Sequence, residues 1–322
     1  MRVIEFALGL LPAIFVTPAF AAENSSAAAP MDSPYQAFQF LQSTPVEVAG
    51  STVHVAFAPG ELALSQETML EWVRESARVV ARYFGRFPVA EAKLLFIPSD
   101  GNKVKFGNAF GHHGAAVRVF VGAGAREDAL RRDWILVHEL IHLGVPSVDR
   151  PHHWLEEGIA VYVESIARLQ SGELSEAFVW EGFVDGMPHG RPRNGDRGLD
   201  LTPSWGRTYW GGALFCLVAD VRIRQRTENR FGLQDALRAV VVAGGNIEER
   251  WPVTRIFQIG DKATGVDVLS ELYESWRTTP VDVDLEQLWS DLGVTTLGGG
   301  VEFDDQAPLA SVRRVITSPV DG

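Results

Sequence analysis

The 322-residue chain reads as an α+β protein, with a small mixed sheet in its N-terminal half, a pair of helices carrying a metal-ligand pattern, and a mainly helical C-terminal half. Three observations predict this class. Residues 46–48 and 53–57 alternate apolar and polar side chains around Gly50-Ser51, as the arms of a β-hairpin do. Segments 64–84, 127–143 and 153–169 read as helices, the first with Met69, Trp72, Val73, Ala77, Val80 and Phe84 at helical spacing. Beyond residue 175 one helical pattern follows another.

The remaining elements follow in order. Gly85 stands where the 64–84 helix should stop. Residues 94–97, apolar throughout and followed by Pro98, predict a short buried strand, and residues 117–121 an exposed or edge strand. Helix 127–143 has Asp128 near its start and ends at Gly144-Val145-Pro146. Residues 183–204, rich in Gly, Pro, Arg and Asp, predict a long surface loop. Helices are expected at 208–226 and 233–242, and in pieces from 251 to 289. After Gly298-Gly299-Gly300 the tail 301–316 reads as irregular or strand-like. A boundary near residue 175 divides a β-rich subdomain (35–175) that holds the ligand helices from a mainly helical one (176–322), with a cleft between them.

Composition narrows the function classes. A hydrophobic fraction of 46% with 22% charged residues describes a globular protein able to bury a large core. A net charge of −12 argues against nucleic acid or an anionic membrane surface as partner. Residues 1–21 predict a cleaved export signal: Arg2, an apolar run broken by Pro12, then Ala19-Phe20-Ala21 before the cut. That run is too short for a comfortable membrane span. Residues 22–34 read as a flexible lead-in, and the mature protein is expected in the periplasm or secreted, with no stable span. The one cysteine, Cys216, lies in an apolar stretch and reads as a buried, inert thiol.

The informative motif is His138-Glu139-Leu140-Ile141-His142. On a helix, residues four apart share a face, so His138 and His142 can hold one metal ion together while Glu139 lies to the side. Two imidazoles and a carboxylate are a donor set for zinc, and this H-E-x-x-H pattern is the zinc-peptidase signature, with Glu139 as general base. The flanking Trp134-Ile135-Leu136-Val137 would bury that helix, and its polar side chains would then need partners. Candidates for the third ligand are Glu157, Glu156, His152 and His153. Glu164, two turns beyond Glu157, is placed either to orient a ligand histidine or as an ordinary surface glutamate.

Trp154-Leu155-Glu156-Glu157-Gly158-Ile159-Ala160 resembles the third-ligand segment of the gluzincins, zinc peptidases that include aminopeptidase N and the glycyl aminopeptidases. The resemblance implies a thermolysin-like zincin core, one zinc ion, and Glu157 as the third ligand. Arg207-Thr208-Tyr209-Trp210-Gly211-Gly212-Ala213 is similar to the Tyr-x-Lys-Gly-Ala segment of the same enzymes, with Gly211 in place of the lysine. It implies Tyr209 as the donor to the oxyanion. The segments 217–224 and 233–238 also resemble the glycyl aminopeptidase family, and the likeness spans roughly residues 126–240.

Two departures stand out. Fourteen residues separate His142 from Glu157, fewer than in aminopeptidase N, so the connecting loop is short. The Gly-x-Met-Glu-Asn segment that holds a substrate's α-amine has its expected counterpart in residues 110–117, which carry no carboxylate. His112 and His113 there read as substrate contacts or as exposed loop residues. Strand 117–121 is a candidate to pair with an extended substrate. Arg207 could bind a substrate carboxylate or be a surface charge. The expected activity is peptide-bond hydrolysis on a peptide or protein substrate, endo- or aminopeptidase, and the alternative is a non-catalytic peptide- or protein-binding module on the same scaffold.

Overall fold

The computed structural model describes residues 33–319; the expected export signal and all but the end of the lead-in lie outside the described residues. After a short helix α1 (Pro34–Ala37), strands β1 (Ser43–Val48) and β2 (Ser51–Phe57) form the expected hairpin. Ala49 and Gly50 close it with φ of 47° and 82°, the left-handed pair that a two-residue hairpin turn requires. Helix α2 (Gln66–Phe84) follows, capped by the Ser65 hydroxyl on the Thr68 N–H and ended by left-handed Gly85.

Strands β3 (Glu91–Ser99), β4 (Val104–Phe110) and β5 (Ala116–Gly122) complete a five-stranded sheet in the order β1-β2-β3-β5-β4. The sheet is mixed: β2, β3 and β5 run parallel, and β4 returns antiparallel on β5. Strand β5 is therefore not the edge. Its side chains Val117, Val119 and Val121 are fully buried, and both of its flanks are paired. The edge belongs to β4, which the sequence pattern did not reveal. Its Gly107 and Asn108 depress strand propensity, and no residue of β4 is buried.

The segment expected as one helix over 127–143 is two, α3 (Glu127–Arg131) and α4 (Ile135–His142). The break is Asp133, whose buried carboxylate accepts the Leu136 N–H and starts a new helix. Eight residues make a poor helix alone. Burial of Leu136, Val137, Leu140 and Ile141 against the sheet and α2 holds it, at about 1.5–3 kcal/mol per large apolar side chain. The second ligand helix, α5 (His153–Gln170), falls where expected.

The expected 183–204 loop starts later, because Phe183 is buried within α6 (Glu176–Gly186); short 3-10 turns at Met187–Gly190 and Leu199–Leu201 follow. A π-helical turn (Gly206–Gly211) runs into α7 (Gly212–Thr227). Then come α8 (Leu233–Val242), α9 (Val253–Thr264), α10 (Val268–Trp276) and α11 (Leu285–Leu292). The tail is a hairpin of β6 (Val294–Leu297) and β7 (Gly300–Phe303), then a helix, α12 (Ala310–Thr317), where irregular or extended chain was expected. Ala310, Val312 and Ile316 are buried, so tertiary packing selects the helix.

One apolar core runs from Val46 to Ile316 on both sides of residue 175. Among the described residues no helix is long and apolar enough to cross a membrane. Cys216 is buried in this core, and burial pushes its thiol far above the usual range, as an inert cysteine requires.

Candidate metal centre and active site

Helices α4 and α5 bring His138, His142 and Glu157 together, with one ligating atom of each within 4.8 Å of the others. Glu157 Oε2 lies 3.4 Å from His138 Nε2 and 3.6 Å from His142 Nε2. The two imidazoles stand edge to face, centroids 4.9 Å apart, as the i, i+4 spacing of one helix dictates. Burial favours the protonated form of Glu157, but His142, His138 and His153 outweigh it and hold the carboxyl far below its usual range. His142 shows the same balance: burial works against its charge, yet Glu157 and Glu139 outweigh it and raise its pKa. Two imidazole nitrogens and one carboxylate oxygen facing a common centre fit zinc, which takes three such ligands at a catalytic site.

Glu139 lies beside these three residues, against the sheet-edge strand β4. The Ala109 N–H of β4 donates to it, and burial raises its pKa despite the neighbouring histidines. Gly107 is what allows this approach. A Cβ there would stand 2.5 Å from Glu139 Cγ. The strand beside the histidine helix is therefore β4, and the 110–117 segment spans the end of β4, the connecting turn at 111–115 and the start of β5. Gly107 and Ala109 are the site residues that sequence reasoning missed. The signal, a glycine within an apolar strand, has meaning only once its neighbour is known.

Tyr209 sits in the π-helical turn, close enough to Glu157 and Glu139 that their charges, after burial, push its phenol well above its usual pKa. Backbone contacts at glycines set its position. Gly158, next to Glu157, packs directly on Gly212 of α7, and Gly190 and Gly206 meet Trp210 and His189. Trp205, half exposed, stacks on Tyr209 with centroids 6.2 Å apart. On the other side Trp134, also half exposed, stands edge-on to His138 at 5.3 Å.

Other candidates are placed elsewhere. Glu156 accepts the Val148 N–H at 3.1 Å and faces His153 Nδ1 at 2.7 Å, so both its oxygens are engaged away from the metal centre. His152 bonds Tyr273 Oη at 3.0 Å, beside Asp200. Glu164 does not reach a ligand histidine: it pairs with Arg168 at 2.7 Å and accepts from the Ser165 hydroxyl. Seven residues of helix carry it about 10 Å beyond Glu157, past the end that holds the histidines. Arg207 is buried, donating to the Gly190 carbonyl with Nε 2.9 Å from Asp196 Oδ2, so it braces the turn below Tyr209 instead of meeting a substrate carboxylate. His112 and His113 are exposed and pack around Tyr35.

A strap at residues 246–251 ties the short loop between the ligand helices. Ile247 N–H donates to Leu143 O, Ser147 N–H to Glu249 O, and Trp251 N–H to Ser147 O. Glu248 takes the Ala115 N–H, so the same strap anchors the turn from β4 into β5.

No family model and no curated protein matches the sequence. Solved structures do. An aminopeptidase N family protein from Idiomarina loihiensis superposes with a TM-score of 0.59 at 12% identity, covering 80% of this chain and 50% of that one. An M1 zinc metallopeptidase from Deinococcus radiodurans does so with a TM-score of 0.51 at 18% identity, covering 76% of this chain and 52% of that one. The chain thus spans about half the length of these structures, and what it shares with them, at such identities, is the fold of M1 zinc metallopeptidases.

Proposed function

We propose that this protein is a zinc-dependent metallopeptidase with a thermolysin-like arrangement of its site. The single observation that carries the reading is the convergence of His138, His142 and Glu157 with Glu139 beside them. These three residues would hold one zinc ion. When bound, zinc supplies Lewis acidity, polarising a carbonyl and lowering the pKa of water toward about 7.

Each remaining task has a residue suited to it. The Glu139 carboxylate would accept a proton from the attacking water and hand it to the leaving amine, and its raised pKa suits that traffic. The Tyr209 hydroxyl stays protonated throughout the working pH range, so it can donate to the developing oxyanion. The outer edge of β4 has no strand beyond it in the sheet and can pair with an extended peptide. Because β4 carries no carboxylate to hold an α-amine, backbone pairing favours an endopeptidase over an aminopeptidase. The export signal expected at 1–21 would deliver the enzyme to periplasmic or secreted peptide and protein substrates.

The test is metal analysis of the purified protein together with hydrolysis of a defined peptide mixture by wild type and Glu139→Gln. Bound zinc, cleavage inside the peptides and loss of cleavage in the variant are expected. A protein that binds no zinc, or cleaves equally well with the substitution, overturns the proposal. Tight peptide binding without turnover would instead indicate a binding module on this scaffold.

A further inference from the structure

His153 occupies an unusual place for a half-exposed residue. It opens α5, and both of its ring nitrogens face carboxylates three and four residues on: Nδ1 lies 2.7 Å from Glu156 Oε2, and Nε2 lies 3.3 Å from Glu157 Oε1. Glu157 turns its other oxygen, Oε2, toward His138 and His142. Glu156 turns its other oxygen to the Val148 N–H, in the short loop that joins the two ligand helices.

We propose that His153 is a positioning residue for the metal ligand Glu157. It engages Oε1, so that Oε2 alone is presented to the ion, and through Glu156 it ties that carboxylate to the connecting loop. The inference rests on the zinc reading above. A glutamate has three side-chain torsions, and an untethered carboxylate could rotate to offer either oxygen. Fixing it before the ion arrives removes the cost of ordering that side chain from binding. Partners of this kind behind metal ligands typically carry a 10- to 100-fold effect on affinity. His138 shows the contrast: its Nδ1 is buried without a hydrogen-bond partner among the described residues, so orientation of the ligand set falls more heavily on the glutamate.

The experiment measures the zinc dissociation constant by competition with a chromogenic chelator for wild type, His153→Leu and His153→Gln, with thermal unfolding of the metal-stripped proteins as the check on folding. His153 is half exposed, so the stripped variants should melt with the wild type. His153→Leu should weaken zinc at least tenfold, and His153→Gln, whose amide can still reach Glu157 Oε1, should recover part of the loss. Zinc affinity of His153→Leu within twofold of wild type overturns the inference while leaving the peptidase reading intact, as does equal loss in both variants. A wild-type protein that binds no zinc overturns both.

Discussion

The two walls of the site are built on different principles. The wall of α4 and α5 places its polar residues by helix periodicity: His138 and His142 four apart, Glu157 on the next helix, all backed by apolar side chains such as Leu136 and Ile141. The opposite wall, β4 and the π-helical turn, surrounds Glu139 and Tyr209 by close approach at glycines: Gly107 against the Glu139 side chain, Gly206 against the His189 carbonyl, and Gly212, just past the turn, against Gly158 of α5. The first wall would hold the metal; the second would position what the proposed reaction needs around it. If so, substitutions should separate metal binding from turnover.

The largest effect is expected at the helix wall. His142→Ala should remove zinc and bring peptide cleavage to background, read by metal content and turnover together. A variant that kept stoichiometric zinc would end the assignment of the ligand set. At the opposite wall Gly107→Ala should do the reverse. The new methyl displaces Glu139, and misplacement of a reacting group by about 1 Å costs on the order of 10²-fold in rate. Zinc affinity should stay near wild type while kcat falls. Were zinc lost as well, the two walls would not be separable.

The same contrast explains what could be read from the chain. His138, Glu139 and His142 were legible because helical spacing alone brings them together, and α2 and α5 because their apolar faces repeat. Glu157 and Tyr209 needed resemblance to known motifs, since their approach to the histidines depends on packing between helices. Strand β4 and the role of Gly107 were not legible, because a glycine's contact is a property of its partner. Arg207 looked like a surface charge or a substrate contact, and only the fold reveals Asp196 and the Gly190 carbonyl beside it. The tail helix α12 was missed because burial, which no local pattern encodes, decides it.

A further test concerns the helix wall alone. Burial raises the Asp133 carboxyl to about 7, against the N–H groups of Leu136 and Ile135 and the charge of Arg168. The folded-state pKa lies above the unfolded value, so this group's contribution is present below the unfolded pKa and lost as pH climbs through about 7. Wild-type stability should fall by up to about 1.4 kcal/mol per pH unit across that window. Asp133→Asn keeps an oxygen for the Leu136 N–H and should flatten the dependence. Urea midpoints at pH 5 and pH 8 measure it; an equal pH dependence in both proteins would show that Asp133 is not the group responsible.

The smallest effect probes the opposite wall from its solvent side. Trp205 stacks on Tyr209 at an interplanar angle of 29°, and His189 closes on the tryptophan edge-on at 5.9 Å. Such aromatic pairs are worth about 0.5–1.5 kcal/mol, so freeing the phenol should cost roughly 2- to 12-fold in kcat. Trp205→Ala should show that loss with zinc affinity unchanged, and Trp205→Phe should restore most of it by keeping a ring on the phenol. If the alanine variant instead raises KM at constant kcat, the tryptophan is a substrate contact, and the position of Tyr209 rests on its glycine contacts alone.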